Sequence, residues 1–244
     1  AYEKGKQSWL AAVAERPDEP TILRNASLFL FLHDPTIAET LISRGASIEP
    51  ACAEWHELLG VLRVFAARGA TSGEQQRAFA SEAMAEYECA LTLEPSSAER
   101  FRLRIEFART AIEAGNNTRA AEAAERLLEE SKDFEATPHY DRGVHFGHIV
   151  LGRIALAASD VTSALEHLAA AGAMRGEFGP GEFLGPDFKL AAALLSHGER
   201  GAVINYLDAC KEFLHDEALI ESWKSDVQRG EMPPFGTVRK PQRL

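Results

Sequence analysis

The sequence predicts an all-α fold, an α-solenoid of stacked helical hairpins, and three observations carry that expectation. Apolar residues recur at helical spacing (i, i+3, i+4) along most of the chain, and no segment sustains the apolar–polar alternation of a half-buried strand. The 11 prolines and 18 glycines fall mostly between these periodic stretches, where they act as stops. The third observation is a repeat: Ala83, Tyr87, Ala90 and Pro95 reproduce the spacings of Ala38, Ile42, Gly45 and Pro50, which are 4, 3 and 5 residues in both. Internal repetition of this kind signals stacked units.

Taken in order, residues 1–18 read as an N-terminal capping helix, amphipathic over 2–15 through Trp9, Leu10 and Val13. A solenoid needs such a cover because its terminal repeat otherwise exposes half a core. Residues 19–214 read as about five degenerate hairpins. In the first, Ile22, Leu23, Ala26, Phe29 and Leu30 mark one helix, Asp34-Pro35 breaks it, and Ile37, Ala38, Leu41 and Ile42 mark the next before Glu49-Pro50 ends it. Later units run through Phe107, Ala108, Ala111, Gly115, Ala120, Ala124 and Leu127, then through Leu151, Gly152, Ala155, Ser159, Ala164, Leu168 and Ala171. A weaker fifth runs through Leu190, Ala191, Leu194, Gly198, Val203, Leu207 and Cys210. Inserts near 69–80 and 135–143 shift the register. Residues 215–231 read as a C-terminal capping helix facing inward with Leu219, Ile220, Trp223 and Val227, and 232–244 as an extended, basic tail.

This pattern resembles the tetratricopeptide repeat. The small–large–small triplets Ala38-Ile42-Gly45 and Ala83-Tyr87-Ala90, each closed by a proline, match the second helix of that family, and Leu59-Gly60 and Leu151-Gly152 match its first. Gly60 follows Ala26 by 34 residues, the family's period. Trp55 and Tyr87 stand near its aromatic positions. The resemblance covers about residues 20–214 and implies a right-handed α-solenoid, an alpha-alpha superhelix, whose inner helices line a concave groove for a peptide or protein segment.

Composition narrows the function. With 244 residues and 45% hydrophobic content the chain can bury a core unaided by disulfide or metal. A net charge of −11 disfavours a phosphate backbone, so no nucleic acid is expected as partner. No apolar run approaches the ~20 residues that span a bilayer, so no membrane partner is expected. Cys52, Cys89 and Cys210 show neither a metal spacing nor a disulfide framework and read as small buried apolar residues. Unpaired thiols point to the cytoplasm, while a start at Ala1 without Met is compatible with a removed signal peptide.

The tetratricopeptide template then nominates groove residues: Leu23, Ser27 and Leu30 in the first unit; Glu54, Glu57, Val61 and Val64 in the second; Ile105, Arg109 and Ile112 in the third; Phe146, Ile149, Arg153 and Leu156 in the fourth; Gly185, Phe188, Ala192 and Leu195 in the fifth. The groove would be largely apolar with Arg109 and Arg153 as its charges, suiting a segment with a hydrophobic anchor and a carboxylate. His145 is placed at the rim, and Arg109, Arg153, Phe146, Ile149, His145 and Phe188 are the candidate ligand-binding residues. If a helix starts near Gly143, His145 and His148 share a face with Asp141 at its mouth, a set of donors that suits a divalent transition metal. No zinc motif accompanies them and no fourth ligand can be named; the competing reading makes His148 a core histidine bonded to backbone. The glycine-rich 174–186 loop lacks the order of a phosphate cradle and is expected to fold over the groove. No nucleophile or paired-acid motif is present. The expectation is therefore a non-enzymatic binding or scaffold module without cofactor, open to homo-oligomerisation. The alternative is a small-molecule binder or enzyme using a pocket around His145, His148 and the loop.

Overall fold

Prolines and short polar side chains set where each helix begins. Pro20, Pro35 and Pro138 occupy first-turn positions, where a missing N–H costs nothing. Ser72, Ser96, Thr137, Asp160 and Asp216 cap helices by accepting a backbone N–H with their side chains. The computed structural model describes residues 1–135, 137–174, 186–214 and 216–235. Helices account for 80% of the described residues, and none of these residues is in a strand.

The chain forms two compact units, Ala1–Asn116 and Asn117–Leu244. The first holds α1 (Tyr2–Glu15), α2 (Pro20–Leu30), α3 (Pro35–Ile48), α4 (Ala53–Gly69), α5 (Gly73–Leu93) and α6 (Ser97–Glu113). The second holds α7 (Asn117–Glu130), a 3-10 turn (Ser131–Phe134), α8 (Pro138–Ala157), α9 (Val161–Gly172), α10 (Lys189–Ser196), α11 (Arg200–Ala209), α12 (Lys211–Leu214) and α13 (Glu217–Arg229). Within each unit every helix packs on its neighbour in sequence, as in a helical repeat. In the second unit α8 also meets α10, α9 meets α11, and α11 meets α13.

The small–large–small spacing does the packing assigned to it. Ala38, Ile42, Ala83, Tyr87 and Ala90 are at most 1% exposed. A Cβ on Gly45 would stand 2.5 Å from the Trp55 ring, and one on Gly60 would stand 3.0 Å from the Tyr87 ring. Absent side chains thus make room for two buried aromatics, which explains why positions 45 and 60 are glycine. Leu23, Ala26, Leu30, Ala38, Ile42 and Trp55 form one core, with Trp9, Leu10 and Val13 of α1 packed against its edge. Leu168, Leu194, Tyr206, Leu207 and Trp223 belong to the core of the second unit.

A second repeat signature lies in the turns. α6, α8 and α10 each end on a residue of positive φ: Gly115 (79°), Ser159 (64°) and Gly198 (91°). In each case the next N–H reaches back five residues: Asn116 to the Ala111 carbonyl, Asp160 to Ala155, and Glu199 to Leu194, at 2.9, 2.9 and 3.1 Å. This bond pattern closes a helix around a left-handed residue. Ser159 adopts that conformation despite its Cβ.

Several boundaries differ from expectation. The insert expected near 69–80 is absorbed by lengthening: α5 starts at Gly73 and runs 21 residues. α8 begins at Pro138 rather than near Gly143, because Thr137 caps it and Pro138 fits its first turn. Of the three cysteines only Cys210 is buried, with its thiol pushed up to about 12 by burial; Cys52 is half-buried and Cys89 exposed. The basic tail 236–244 lies outside the described residues. No described helix is long and apolar enough to cross a membrane.

Candidate functional site

In the first unit α2, α4 and α6 share one face, tied by side chains that reach from helix to helix. Arg24 of α2 pairs with Glu54 of α4 at 3.0 Å and lies 5.2 Å from the Trp55 ring centre. Glu57 of α4 accepts two bonds from Arg102 of α6, at 2.7 and 2.6 Å. Burial opposes the charge on Arg102, but the carboxylates of Glu57 and Glu99 outweigh it and raise the guanidinium's pKa. Arg109 holds Glu106 one turn away at 3.0 Å. Glu54, Glu57, Val61 and Val64, nominated from the template, are all half-buried on this surface.

Leu23, Ser27 and Leu30 do not line it. All three are fully buried, because that side of α2 meets the core around Ile42 and Trp55. Leu28, Leu32 and Phe65 remain outside, at 50%, 69% and 41% exposure, while Phe29, at 37%, stacks on Tyr2 of α1. Phe31 ends α2 beside them and meets Phe65 edge-on at 5.3 Å, and the Arg68 guanidinium sits 5.3 Å from the Phe65 ring centre. One end of the α2–α4 surface is thus apolar and open, while its middle is a ladder of ion pairs. Sequence reasoning passed over Leu28, Phe31, Leu32 and Phe65. The available signal was a run from Ser27 to Leu32 that is apolar on every side of the helix, more than one buried face can absorb.

Of the residues nominated in the second unit, Phe146, Ile149 and Phe188, at 0%, 1% and 4% exposure, and Leu156 are buried in its interior, while Ala192 and Leu195 are half-buried. Arg153 is half-buried. His145, placed at the rim by the sequence, is fully enclosed. Its Nδ1 is 3.0 Å from the Ala171 carbonyl, and its Nε2 accepts the Asp187 N–H at 2.9 Å. The ring is therefore the neutral tautomer that donates from Nδ1, with both nitrogens committed to backbone. The Tyr206 hydroxyl donates to the Asp187 carbonyl at 3.1 Å, and the Asp187 carboxylate accepts the Lys189 N–H at 2.8 Å. These bonds join the end of α9 to the start of α10. The loop between them, residues 175–185 with Gly185, lies outside the described residues.

The core histidine is thus His145, not His148. The reason is the earlier start of α8, which puts position 145 in the second turn, where it faces the end of α9. His148 instead faces His167 of α9, with Nδ1 atoms 3.0 Å apart. Burial, reinforced by the neighbouring imidazoles, pushes His148 down to about 4, and burial lowers His167 as well. Asp141 is buried too. Among the described residues no three histidine, cysteine, aspartate or glutamate side chains gather as a metal site. A surface cleft along α7 and the 3-10 turn is lined by Glu122, Glu125, Glu129 and Asp133 with Arg126 and Lys132, and shares no residue with the histidine cluster.

Neither a protein-family model nor a curated protein sequence matches this chain.

Proposed function

We propose that this chain is a right-handed, tetratricopeptide-like solenoid that binds a protein segment without catalysis, and that its binding surface is the α2–α4–α6 face of the first unit. The observation that carries the reading is the exposure of Leu28, Leu32 and Phe65, with Phe65 held edge-on against Phe31 at the end of α2. Large apolar side chains grouped at a surface, with polar groups around them, mark interaction sites. The fit is to a segment whose hydrophobic anchors cover Leu28, Phe31, Leu32 and Phe65 while its polar backbone runs along the ladder from Arg24 to Arg109. A carboxylate on that segment would meet Arg109 already holding Glu106, so it would exchange one ion pair for another and set register more than affinity. The committed backbone bonds of His145 favour this reading over a pocket built on His145 and His148.

Selection of random peptide segments on the purified chain, followed by calorimetry, tests the proposal. Leu32→Glu and Phe65→Glu are expected to weaken the selected segments at least tenfold, ~1.4 kcal/mol. Their unfolding midpoints should stay close to wild type, because exposed positions tolerate substitution within ~0.5 kcal/mol. Segments that bind both variants as tightly as wild type would remove this face from consideration.

A further inference from the structure

After α13 the chain turns back on itself. Gly230, at φ 81°, ends the helix, and the Glu231 N–H returns to the Asp226 carbonyl at 2.9 Å. The next four residues, Met232-Pro233-Pro234-Phe235, lie against the second unit: Pro233 is buried, Phe235 is half-buried, and Met232 and Pro234 face outward. Phe235 stacks on Phe188 with ring centres 5.3 Å apart and planes 9° from parallel, and meets Trp223 edge-on at 5.3 Å. Phe188 in turn meets Trp223 and Tyr206 edge-on at 5.1 and 5.8 Å. Phe188, itself held edge-on by Tyr206, and Trp223 thus form a seat, and the chain's own phenylalanine sits in it.

The geometry points to a docking site on the second unit, lined by Phe188 and Trp223, for a partner segment that carries an aromatic residue after prolines; Met232–Phe235 is its intramolecular occupant. The class of ligand is read from that occupant. Pro233 and Pro234 have no N–H to donate, and the Phe235 N–H turns inward to the Pro233 carbonyl at 2.8 Å. Recognition therefore rests on ring stacking and on the tight turn closed by the Pro233 carbonyl and the Phe235 N–H, whose backbone the fixed φ of Pro234 sets beforehand. Pro233 and Phe235 anchor the segment, and its other two side chains are exposed, so it can leave without unpacking a helix. The Trp223 indole N–H is buried without an acceptor among the described residues. A partner that brings a carbonyl to it gains a bond that the resident segment does not make.

A tethered occupant competes at the high effective concentration of a short linker, so the site should be masked in the wild-type chain and unmasked when the anchor is removed. The probe is a capped peptide of sequence 230–235, titrated by calorimetry into full-length wild-type and Phe235→Ala proteins. The peptide is expected to bind the variant at least tenfold more tightly than wild type, and a peptide with alanine in place of its phenylalanine is expected not to bind. No binding to a folded variant, equal binding to both proteins, or equal binding of the two peptides would overturn the proposal. If Phe235→Ala loses its helical signal, Phe235→Leu, which keeps apolar volume without a ring to stack, takes its place under the same criteria. If both unfold, Phe235 is a core residue and the proposal fails. A wild-type dimer abolished by Phe235→Ala would assign the seat to a second copy and overturn the partner reading. The proposal is independent of the α2–α4–α6 face, whose variants leave these residues untouched.

Discussion

Replacing Gly45 with alanine adds a single methyl at the point where α3 meets Trp55, and the structure sets both terms of the outcome. In a helix interior alanine is favoured over glycine by about 1 kcal/mol, so the substitution would stabilise α3 if space were available. It is not: the new Cβ would lie 2.5, 2.5 and 2.6 Å from three atoms of the Trp55 ring, roughly 1 Å inside normal carbon contact. Trp55 has little freedom to retreat. It is fully buried, its indole N–H bonds Glu49 at 3.0 Å, and Arg24 lies against its face. Overpacking a tight core costs ~1–3 kcal/mol, and expelling a buried tryptophan altogether costs ~3–5 kcal/mol. Setting these against the helix gain leaves a net destabilisation of about 2 kcal/mol, or roughly 4–8 °C in melting temperature for a chain of this size. Thermal and urea unfolding followed by circular dichroism and tryptophan fluorescence would measure it. Wild-type stability or better would mean that Trp55 does not pack on Gly45 and that the register of α3 against α4 is wrong.

Three further outcomes follow from the structure. Ser159→Gly should raise stability by about 0.5–1 kcal/mol, because it removes a Cβ from a left-handed position that glycine holds in two equivalent turns; a lower melting temperature would count against the shared turn. His145→Ala should cost about 3 kcal/mol or more in urea unfolding, since it strands the Ala171 carbonyl and the Asp187 N–H in the interior, and a neutral result would show that those bonds are not formed. His148 titrates near 4 when folded against an ordinary value of 6.5, so the unfolded chain takes up the proton first. Its contribution is present in full above pH 6.5 and is lost as pH falls towards 4; His148→Asn should flatten the fall in urea midpoint across that window.

The legible part of the fold was the part set by local rules. The helix breaks at Asp34-Pro35 and Glu49-Pro50 and the small–large–small triplets follow from propensity and close approach, which a few neighbouring residues determine. The length of α5 was not legible, because residues 73–80 carry little apolar pattern and gain helicity as a continuation of a packed helix. Of the nominated residues, Glu54, Glu57, Val61 and Val64 on α4 are half-buried and reach the surface, whereas those nominated on α2 and most of those on α8 are buried. There the template assumed one free face, whereas Leu23 and Leu30 meet Ile42 and Trp55, and Phe146 and Ile149 are enclosed in the second unit. Which apolar face of a helix is buried depends on all of its neighbours, and spacing along one chain records only that an apolar face exists.

Charge shows the same division between what residues are and whom they meet. Read as single letters, Arg109 suggested a cation waiting for a ligand, and the net charge of −11 suggested an acidic surface. In the folded first unit Arg24, Arg102 and Arg109 are each matched to a glutamate within 3.0 Å, two of them across helix pairs. These pairs are half-buried, so the attraction within each is partly offset by the desolvation of its charges. If the α2–α4–α6 face binds a protein segment as proposed, pairing its charges in this way leaves discrimination among partners to the shape and hydrophobicity of the Leu28–Leu32–Phe65 end. On that proposal, glutamates already paired to arginines would exclude a badly aligned acidic segment more strongly than they would reward a well-aligned one, and the ladder would act as a filter beside an apolar anchor.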